Sequence, residues 1–483
     1  MTISSTNIPQ IGHLINGELI GSNYLPHNDP GRLDDIVAHV AVGTGADVDH
    51  AVRAAHSAFP GWRDTPVAER AQKLIEAASV IANSIEELAP LLVREHGGVM
   101  WEANTDFGLG IGVLQHIANV VEEYLRPITH DDEQSFISIE KMPRGVAAAI
   151  VPWNMPIVLT MMKLAPALAT GNTLVLKPSP FASAALTLAL KKVSDILPAG
   201  VLNVVHGDGD VGHALTSHPL VRKVGFTGGT ATGVKVMESA ARSIKNITLE
   251  LGGNDPAIIL DDADSDTVLD RILPGIFTRS GQICFAVKRI YVPRNKYKSF
   301  ADALCERVNE YTVGHGLNPN ASFGPLNNDA QYKKVLDLLG RTRSSSATVV
   351  ELGRKLDPSS WGNGYYILPH VVRDVEHSAP ISCEEQFGPI IPLIGYDDVE
   401  QAVTWANDSE EGLCSSIWTS DPERGLSVAR RIEAGSTFVN SHSFDSLDPR
   451  MPFGGIKQSG IGREFGVAGL SEYVEEHAIR YVK

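Results

Sequence analysis

The sequence predicts an α/β fold with two doubly wound domains, and three observations support this prediction. Short apolar runs that end at Pro, Lys-Pro or Gly alternate with helical stretches, which is typical of a parallel sheet covered on both faces. The chain has 483 residues, 43% of them hydrophobic, which is more than one compact core usually holds. No low-complexity linker separates the two alternating regions, so we expect them to pack closely around a cleft.

The predicted elements begin with a hairpin and continue with helices. Asn16-Gly17 lies between short apolar segments within residues 12–20, which indicates a two-residue β-turn. Apolar residues at three- and four-residue steps predict amphipathic helices over 47–59 and 67–95.

Seven apolar runs predict the buried strands. Four of them form the first alternating region, and three belong to a second region between about 257 and 439: 145–151, 173–176, 201–205 and 223–227, then 257–260, 289–292 and 390–394.

Charge and composition exclude several classes of function. The formal net charge of −16 argues against binding to nucleic acid or to an anionic membrane surface. The four cysteines show no CxxC spacing and no Cys/His cluster, so we expect reduced thiols and no metal site. The first residues lack a basic segment followed by an apolar core, and no run approaches the roughly 20 apolar residues of a membrane span. These features predict a cytoplasmic protein.

Gly281-Gln282-Ile283-Cys284 is the segment that most favours chemistry. Glycine and a short polar side chain beside a cysteine allow close approach to the sulfur, and the thiolate is the reactive form of that residue. Glu250, within Glu250-Leu251-Gly252-Gly253, is a candidate base. Taken alone, a cysteine is more often a buried structural residue in a core strand, which is the alternative interpretation.

Two glycine-rich segments are candidates for binding a phosphate. Residues 207–212 fit the spacing G-x-G-x-x-G after a strand, without a clear acidic residue at the next strand end. Residues 226–233 lead from a strand through a Gly/Thr-rich turn into a helix, which places free amides and the positive end of the helix dipole together. An ordinary N-capped helix is the alternative interpretation of this second segment.

Seven motifs occur together in one order: Pro152-Trp153-Asn154-Met155-Pro156, Lys177-Pro178-Ser179, Phe226-Thr227-Gly228, Glu250-Leu251-Gly252-Gly253, Gly281-Gln282-Ile283-Cys284, Glu384-Glu385-Gln386-Phe387-Gly388-Pro389 and the segment 452–460. In these motifs the chain resembles, from about residue 12 to the end, the NAD(P)-dependent aldehyde dehydrogenase superfamily. The resemblance implies oxidation of an aldehyde to a carboxylic acid, without transfer of the acyl group to coenzyme A.

The resemblance also implies catalytic roles. Cys284 matches the nucleophile that forms a thiohemiacetal, and Asn154 matches the side chain that stabilises its oxyanion together with the Cys284 backbone N–H. Glu250 matches the base that activates water to hydrolyse the thioester. Lys163 is similar to a family lysine that moves protons from this glutamate. The alternatives are a turn cap for Asn154, a strand-end ion pair for Glu250 and a solvated helix residue for Lys163.

NAD or NADP is the implied cofactor. Lys177 matches the lysine that binds the adenosine ribose, Glu385 the carboxylate that holds the nicotinamide ribose, and Phe387 a residue near the nicotinamide. Other positions match the lining of the adenine and pyrophosphate: Trp153, Ser179, Gly209, Gly212, Phe226, Thr227 and Gly228.

Two positions depart from the pattern of NAD-preferring relatives. Pro180 stands where many of them have a glutamate that accepts from the ribose 2′-OH and repels a 2′-phosphate. Gly229 stands where many have a serine that contacts phosphate. We therefore expect both NAD and NADP to be used.

The residues that match the family's substrate pocket are all apolar: Met155, Val158, Leu159, Met162, Ile283, Phe285 and Phe444. This lining favours a medium or large hydrophobic aldehyde, whether aliphatic, terpenoid or aromatic. Arg279, five positions before the cysteine, leaves a semialdehyde dehydrogenase open, because a guanidinium there would bind a carboxylate or lower the thiol pKa; an internal ion pair is the alternative. His442 is expected near the same mouth, either as polar lining or as a loop residue.

By resemblance, the coenzyme domain, Rossmann-like, comprises 1–125 and 145–252, and the catalytic domain comprises 253–455. Residues 126–144 and the C-terminal segment 456–483 are expected to form a small β arm for oligomerisation, which predicts a homodimer or homotetramer. A non-catalytic binding or structural member of the family is the alternative from another class. Such a member is expected to lose Cys284 or Glu250, and both are present.

Overall fold

An eight-stranded, mainly parallel sheet forms one half of the computed structural model, which describes residues 8–483. Its parallel strands are buried on both faces, as expected for strands covered by helices. The order across the sheet is Gly460–Ile461, Asn246–Glu250, Val221–Thr227, Val146–Ile150, Thr173–Lys177, Leu202–Val204, His13–Ile15 and Glu18–Ile20.

A second sheet of seven strands forms the other half. Six of its strands run parallel, and the edge strand Thr348–Glu351 is antiparallel to its neighbour. The order is Thr348–Glu351, His370–Arg373, Ile390–Tyr396, Val287–Pro293, Asp255–Ile259, Cys414–Trp418 and Ser436–Val439.

The helices lie between these strands in the chain and cover the sheets. They span Gly45–Arg63, Val67–Ala82, Ile85–His96, Met100–Tyr124, Pro156–Ala169, Ala184–Ser194, Gly209–Ser217, Thr230–Ala241, Ser265–Phe277, Arg294–Val308, Asp329–Arg343, Pro380–Cys383, Val399–Asn407, Pro422–Ala429 and Gly466–Ser471, with 3₁₀ turns at Thr278–Gly281, Pro358–Asn363 and Phe444–Ser446. No helix within residues 8–483 is long and apolar enough to cross a membrane.

Four small sheets complete the fold. The C-terminal strand Val474–Val482 pairs along its whole length with Ser135–Pro143, which also pairs with Ile128–Asp131. A further three-stranded sheet joins Gln10–Ile11, Arg32–Ala41 and Tyr24–Asp29. Two short pairs join Thr312–Val313 to Arg354–Lys355 and Glu411–Gly412 to Ile456–Lys457.

Parallel register places several candidate residues at one edge of the eight-stranded sheet. Ile150 is level with Lys177 and with Phe226, and Thr227 is level with Glu250. Each of these strands ends here, so their carboxyl ends meet, as do the turns that follow. This is where open α/β sheets bind ligands.

The predicted α/β class is confirmed, as are the hairpin at Asn16-Gly17 and the seven buried strands within a few residues. Asn16 and Gly17 both have positive φ, which a two-residue turn of this kind requires. The predicted helical stretch 67–95 is interrupted after Ala82, where Asn83 and Ser84 turn the chain before Ile85. Sequence patterns did not predict Gly460–Ile461 as a strand of the first sheet, because a two-residue strand has no periodicity of its own.

Candidate active site

The loop that carries Cys284 has an unusual backbone. Arg279 and Ser280 both adopt φ of 57°, and Gly281 has φ of 73°. A Cβ on Gly281 would lie 2.3 Å from the carbonyl oxygen of Gly388, so only glycine allows this approach. The loop then delivers Cys284 just before the buried strand Val287–Pro293.

An apolar cavity of about 150 Å³ opens beside Cys284. All seven residues predicted for the substrate pocket line it, namely Met155, Val158, Leu159, Met162, Ile283, Phe285 and Phe444. Phe285 stands edge-to-face with Phe444 and Phe453, at centroid distances of 5.4 and 5.9 Å. Among the described residues that line the cavity, only Asn154 and Cys284 carry polar side chains. The cavity is therefore apolar except at these two residues.

The Cys284 thiol lies in a strongly perturbed environment. Burial raises its pKa to about 12; the Lys288 ammonium opposes this rise, and the carboxylates of Asp255, Glu385 and Glu250 add to it. At neutral pH the thiol is therefore mostly protonated in the unliganded protein. A reaction at this sulfur must remove its proton first.

Asn154 reaches Cys284 from the turn after the strand Val146–Ile150. It is 4% exposed, and its Nδ2 donates to the backbone carbonyl oxygen of Gln282 at 3.0 Å. An amide nitrogen carries two hydrogens, so this bond orients the group and leaves one donor for a ligand. The structure thus brings the predicted oxyanion donor onto the wall shared with the thiol.

Glu250 is the last residue of the strand Asn246–Glu250, and it is buried. It is 3% exposed, and neither carboxylate oxygen has a hydrogen-bond partner among the described residues. Burial raises the pKa of Glu250 well above its ordinary value, and the Glu464 carboxylate adds to this effect, while Lys163 and Arg463 oppose it. The backbone of Gly454, which has φ of 149°, passes close to the Glu250 carboxylate. A Cβ at position 454 would lie only 2.6 Å from Glu250 Oε1, so glycine allows this approach.

Lys163 is a buried cation rather than a solvated one. Its side chain is fully buried in the helix Pro156–Ala169. Nζ donates to Glu464 Oε1 at 2.7 Å and to Thr227 Oγ1 at 2.6 Å. The solvated-helix alternative for Lys163 is therefore wrong. Lys163 and Glu464 form an ion pair whose charges both act on Glu250.

A groove of about 770 Å³ runs along the carboxyl edge of the eight-stranded sheet. Nine of the predicted cofactor residues line it: Lys177, Ser179, Pro180, Gly209, Gly212, Phe226, Thr227, Gly228 and Gly229. The helix Thr230–Ala241 begins here with no side-chain cap, so its first amides face a position where a phosphate would be stabilised.

A smaller pocket of about 270 Å³ continues this groove to Cys284. Thr227, Gly228 and Gly229 line both spaces. The predicted residues Glu385 and Phe387 lie here with Asn154, and so does Trp153, which packs edge-to-face on Phe387 at 5.7 Å. The sequence places Trp153 along the adenine and pyrophosphate, whereas it lies at the end of the groove that contains the thiol.

Arg279 and His442 do not line the apolar cavity. Arg279 is fully buried; its guanidinium donates to the backbone carbonyls of His96 and Asn154 and lies 4.0 Å from Glu102. This favours the internal ion pair over recognition of a substrate carboxylate. His442 is also fully buried in a loop and bonds to Ser416 and to the carbonyl of Phe285, which favours the loop residue over the polar lining.

Sequence reasoning missed one side of the apolar cavity. The helix Met100–Tyr124 contributes Gly108, Leu109, Gly112 and Val113, and later loops contribute Leu447, Pro449, Phe453 and Phe465. The glycines at positions 108, 110 and 112 are unusual within a helix and are the signal that was available. Glu464 was missed because it lies outside the motifs that were recognised.

Comparison with known proteins explains this arrangement. The model of the aldehyde dehydrogenase family matches residues 21–479. The chain belongs to the aldehyde dehydrogenase family. Its members are enzymes that oxidise aldehydes, and the family uses NAD(P). FUS7 of Gibberella fujikuroi is 32% identical over 434 residues, which are 90% of both chains.

Solved structures extend the likeness to nearly the whole chain. Betaine aldehyde dehydrogenase from Staphylococcus aureus, solved in complex with NAD+, is 32% identical and superposes with a TM-score of 0.93 over 97% of this chain and 94% of that one. A point mutant of aldehyde dehydrogenase from Bacillus cereus is 34% identical, with a TM-score of 0.93 over 98% and 96% of the two chains.

Proposed function

We propose that this protein oxidises a medium or large hydrophobic aldehyde to its carboxylic acid, with NAD or NADP as hydride acceptor. One observation carries the proposal: Cys284 and Asn154 line both the apolar cavity and the pocket that ends the dinucleotide groove. A reacting carbon at the sulfur would therefore contact the aldehyde side and the cofactor side together.

The residues of the groove suit a dinucleotide. Lys177 and Ser179 would hold the adenosine end, the amides that begin the helix Thr230–Ala241 would bind phosphate, and Glu385 would hold the nicotinamide ribose. A Cβ on Gly252 would lie 2.8 Å from Glu385 Oε2, so the backbone passes close to this carboxylate. When bound, the nicotinamide ring supplies the hydride acceptor.

Cys284 would act as the nucleophile. Its thiolate attacks the aldehyde carbon to form a thiohemiacetal, and the second Asn154 N–H donates to the developing oxyanion with the Cys284 backbone N–H. Removing one such donor typically costs about 3 kcal/mol of barrier. Loss of hydride from the thiohemiacetal carbon leaves a thioester on Cys284.

Glu250 would hydrolyse this thioester. A carboxylate with a raised pKa accepts a proton from water near neutral pH more readily than an ordinary glutamate does. As Glu250 takes one proton, the water oxygen attacks the thioester carbon, the C–S bond breaks, the carboxylic acid leaves with the other proton and Cys284 is restored as its thiolate. Lys163 and Glu464, joined at 2.7 Å, would move the proton onward from Glu250.

The lining supports a hydrophobic substrate over a semialdehyde. Arg279 donates to backbone carbonyls and does not line the cavity, so it offers no partner for a substrate carboxylate. A non-catalytic role is not favoured, since Cys284, Glu250 and Asn154 are all present; Cys284 and Asn154 share one wall, and the Glu250 charge acts on the Cys284 thiol.

Pro180 and Gly229 line the adenosine groove, and neither position supplies an acidic side chain to repel a 2′-phosphate. The groove is also lined by Asp208, Asp210 and Glu238 and by the cations Lys235 and Arg242. We expect kcat/KM values for NAD and NADP within about a thousandfold of each other, roughly 4 kcal/mol. A larger ratio would contradict the use of both cofactors.

The decisive assay follows absorbance at 340 nm with NAD or NADP, without coenzyme A, against aliphatic, terpenoid and aromatic aldehydes and a semialdehyde. Reduction of the dinucleotide that depends on Cys284 and is fastest with hydrophobic aldehydes supports the proposal, and Cys284→Ser is the control. Absence of reduction across the panel, or preference for the semialdehyde, would reject it.

We also propose a homodimer or dimer of dimers in the cytoplasm, where reducing conditions keep Cys284 as a thiol. The three-stranded sheet that ends with Val474–Val482 supports this oligomer, because its terminal strand exposes Ile479, Tyr481 and Val482. Light scattering that gives a monomer mass at all concentrations would reject it.

A further inference from the structure

Lys288 is a buried cation next to Cys284 that no step of the proposed reaction uses. It is the second residue of the strand Val287–Pro293, and its side chain is 3% exposed. Nζ donates to the backbone carbonyl oxygens of Ile283 and Cys284, both at 2.9 Å. The same ammonium lies 3.7 Å from Glu385 Oε1. One cation therefore contacts both the nucleophile loop and a carboxylate of the cofactor pocket.

Burial of this ammonium requires compensation. An unpaired buried charge is strongly unfavourable, and carbonyl dipoles plus an opposite charge reduce that cost. The carbonyls of Ile283 and Cys284 both accept from Nζ, and the Glu385 carboxylate lies near the same atom. Glu385 also accepts from the Gly253 N–H at 3.2 Å, so its position depends on both partners. Loss of Lys288 would release the loop and the carboxylate together.

We propose that Lys288 is a positioning residue that couples the Cys284 loop to Glu385 and places a positive charge where the thiolate forms. The proposal rests on the proposed function, in which Cys284 attacks the aldehyde and Glu385 holds the nicotinamide ribose. Lys288 itself lines neither the apolar cavity nor the cofactor pocket beside Cys284. It acts through the two groups that it holds.

The charges around the thiol support this role. Asp255, Glu385 and Glu250 all oppose formation of a thiolate at Cys284, and burial opposes it most strongly, whereas Lys288 favours it. Lys288 also lowers the pKa of Glu385, which burial raises, and Lys334 acts in the same direction. Lys288 thus favours the charged forms of both the nucleophile and the cofactor carboxylate.

The first test measures alkylation of Cys284 by iodoacetamide at pH 8 in the protein without cofactor. Peptide mass spectrometry separates Cys284 from Cys305, Cys383 and Cys414. Loss of an opposite charge typically raises a pKa by about one unit or more, so Lys288→Met should alkylate about tenfold more slowly. Lys288→Arg, which keeps the charge, should recover the rate to within about threefold of wild type.

Two further variants make the test specific. Lys298→Met removes an exposed lysine paired with Asp302 and should leave the rate unchanged. Glu385→Gln removes a negative charge near the thiol and should accelerate alkylation. If circular dichroism shows that Lys288→Met does not fold, the other two variants decide. The proposal is overturned if Lys288→Arg loses the wild-type rate of Cys284 alkylation, or if Glu385→Gln leaves that rate unchanged.

The second test measures the dissociation constant of NAD from the change in tryptophan fluorescence. Lys288→Met should weaken NAD binding about fivefold in the wild-type background and have no further effect in Glu385→Gln, because coupled residues are not additive. Wild-type alkylation in Lys288→Met, or additive effects on NAD binding, would overturn the proposal. Alkylation needs neither aldehyde nor turnover, so failure of the proposed function is seen separately, as an inactive wild-type enzyme.

Discussion

The apolar cavity makes a quantitative prediction about substrate length. A methylene group occupies roughly the volume of a water molecule, about 30 Å³, so a cavity of about 150 Å³ holds about five of them. Each buried methylene contributes about 0.8 kcal/mol, which corresponds to about a fourfold gain in kcat/KM. Propanal already has two carbons beyond its carbonyl, so about three more fit. From propanal to hexanal, kcat/KM should therefore rise about 60-fold in total and then level off for longer chains.

Gly112 allows the same prediction to be tested from the protein side. It lines the cavity on the helix Met100–Tyr124, and a Cβ there would meet no atom within 4 Å. In Gly112→Leu the new side chain should displace two or more methylenes of a long substrate, so kcat/KM for octanal should fall about 15-fold or more. Propanal should be oxidised within about twofold of the wild-type rate. Gly340→Leu, at an equally open helical glycine away from the cavity, is the matched control.

The assay is steady-state reduction of NAD at 340 nm with each aldehyde of the series. A kcat/KM that is flat or falls with chain length would refute the assignment of the cavity to the substrate. An equal loss for propanal and octanal in Gly112→Leu would show that this variant disturbs the fold instead. An equal loss in Gly340→Leu would point to the same conclusion.

Other predictions concern the polar groups. Asn154→Ala should lower kcat by about 10² to 10³ while aldehyde binding changes little, as steady-state kinetics will test. Glu250→Gln should release about one equivalent of reduced dinucleotide per site and then stall; sustained turnover in stopped-flow traces would contradict hydrolysis by this residue. Because burial raises the pKa of Cys284 to about 12 and that of Glu250 well above its ordinary value, and both act deprotonated, activity should rise from pH 7 to pH 10. Lys163→Met should lose about 3 to 5 kcal/mol in urea unfolding by leaving Glu464 unpaired, and an unchanged midpoint would contradict this.

Much of the fold was predictable because its signals are local. Buried parallel strands have continuous apolar runs, and Asn16-Gly17 is a turn whose backbone few other residue pairs adopt. The boundaries were less predictable: the helical pattern over 67–95 does not reveal the break after Ala82. The strand Gly460–Ile461 is held by its partner Asn246–Glu250 and has no pattern of its own.

The candidate site also contains some residues that the sequence predicts and others that only tertiary packing places. Residues within or next to motifs, such as Ile283, Phe285 and Met155, line the cavity as the sequence predicts. Trp153 stands within a motif, yet which end of the groove it lines depends on packing against Phe387. An internal ion pair was open for Arg279 from the sequence, but the partners of Arg279 and His442 were beyond reach, since they are far away in the chain.

Local pattern was thus sufficient for the α/β class and for selecting Cys284 and Glu250 as candidates, and the resemblance to the family selected the residues of the apolar pocket. The tertiary structure decided which charges surround Cys284 and Glu250. Lys163 meets Glu464 across 301 positions, Arg279 meets Asn154 across 125, and Lys288 brings Cys284 and Glu385 together. The physical reason is that burial and distant charges set the pKa of a group, and neither is encoded in its neighbours along the chain.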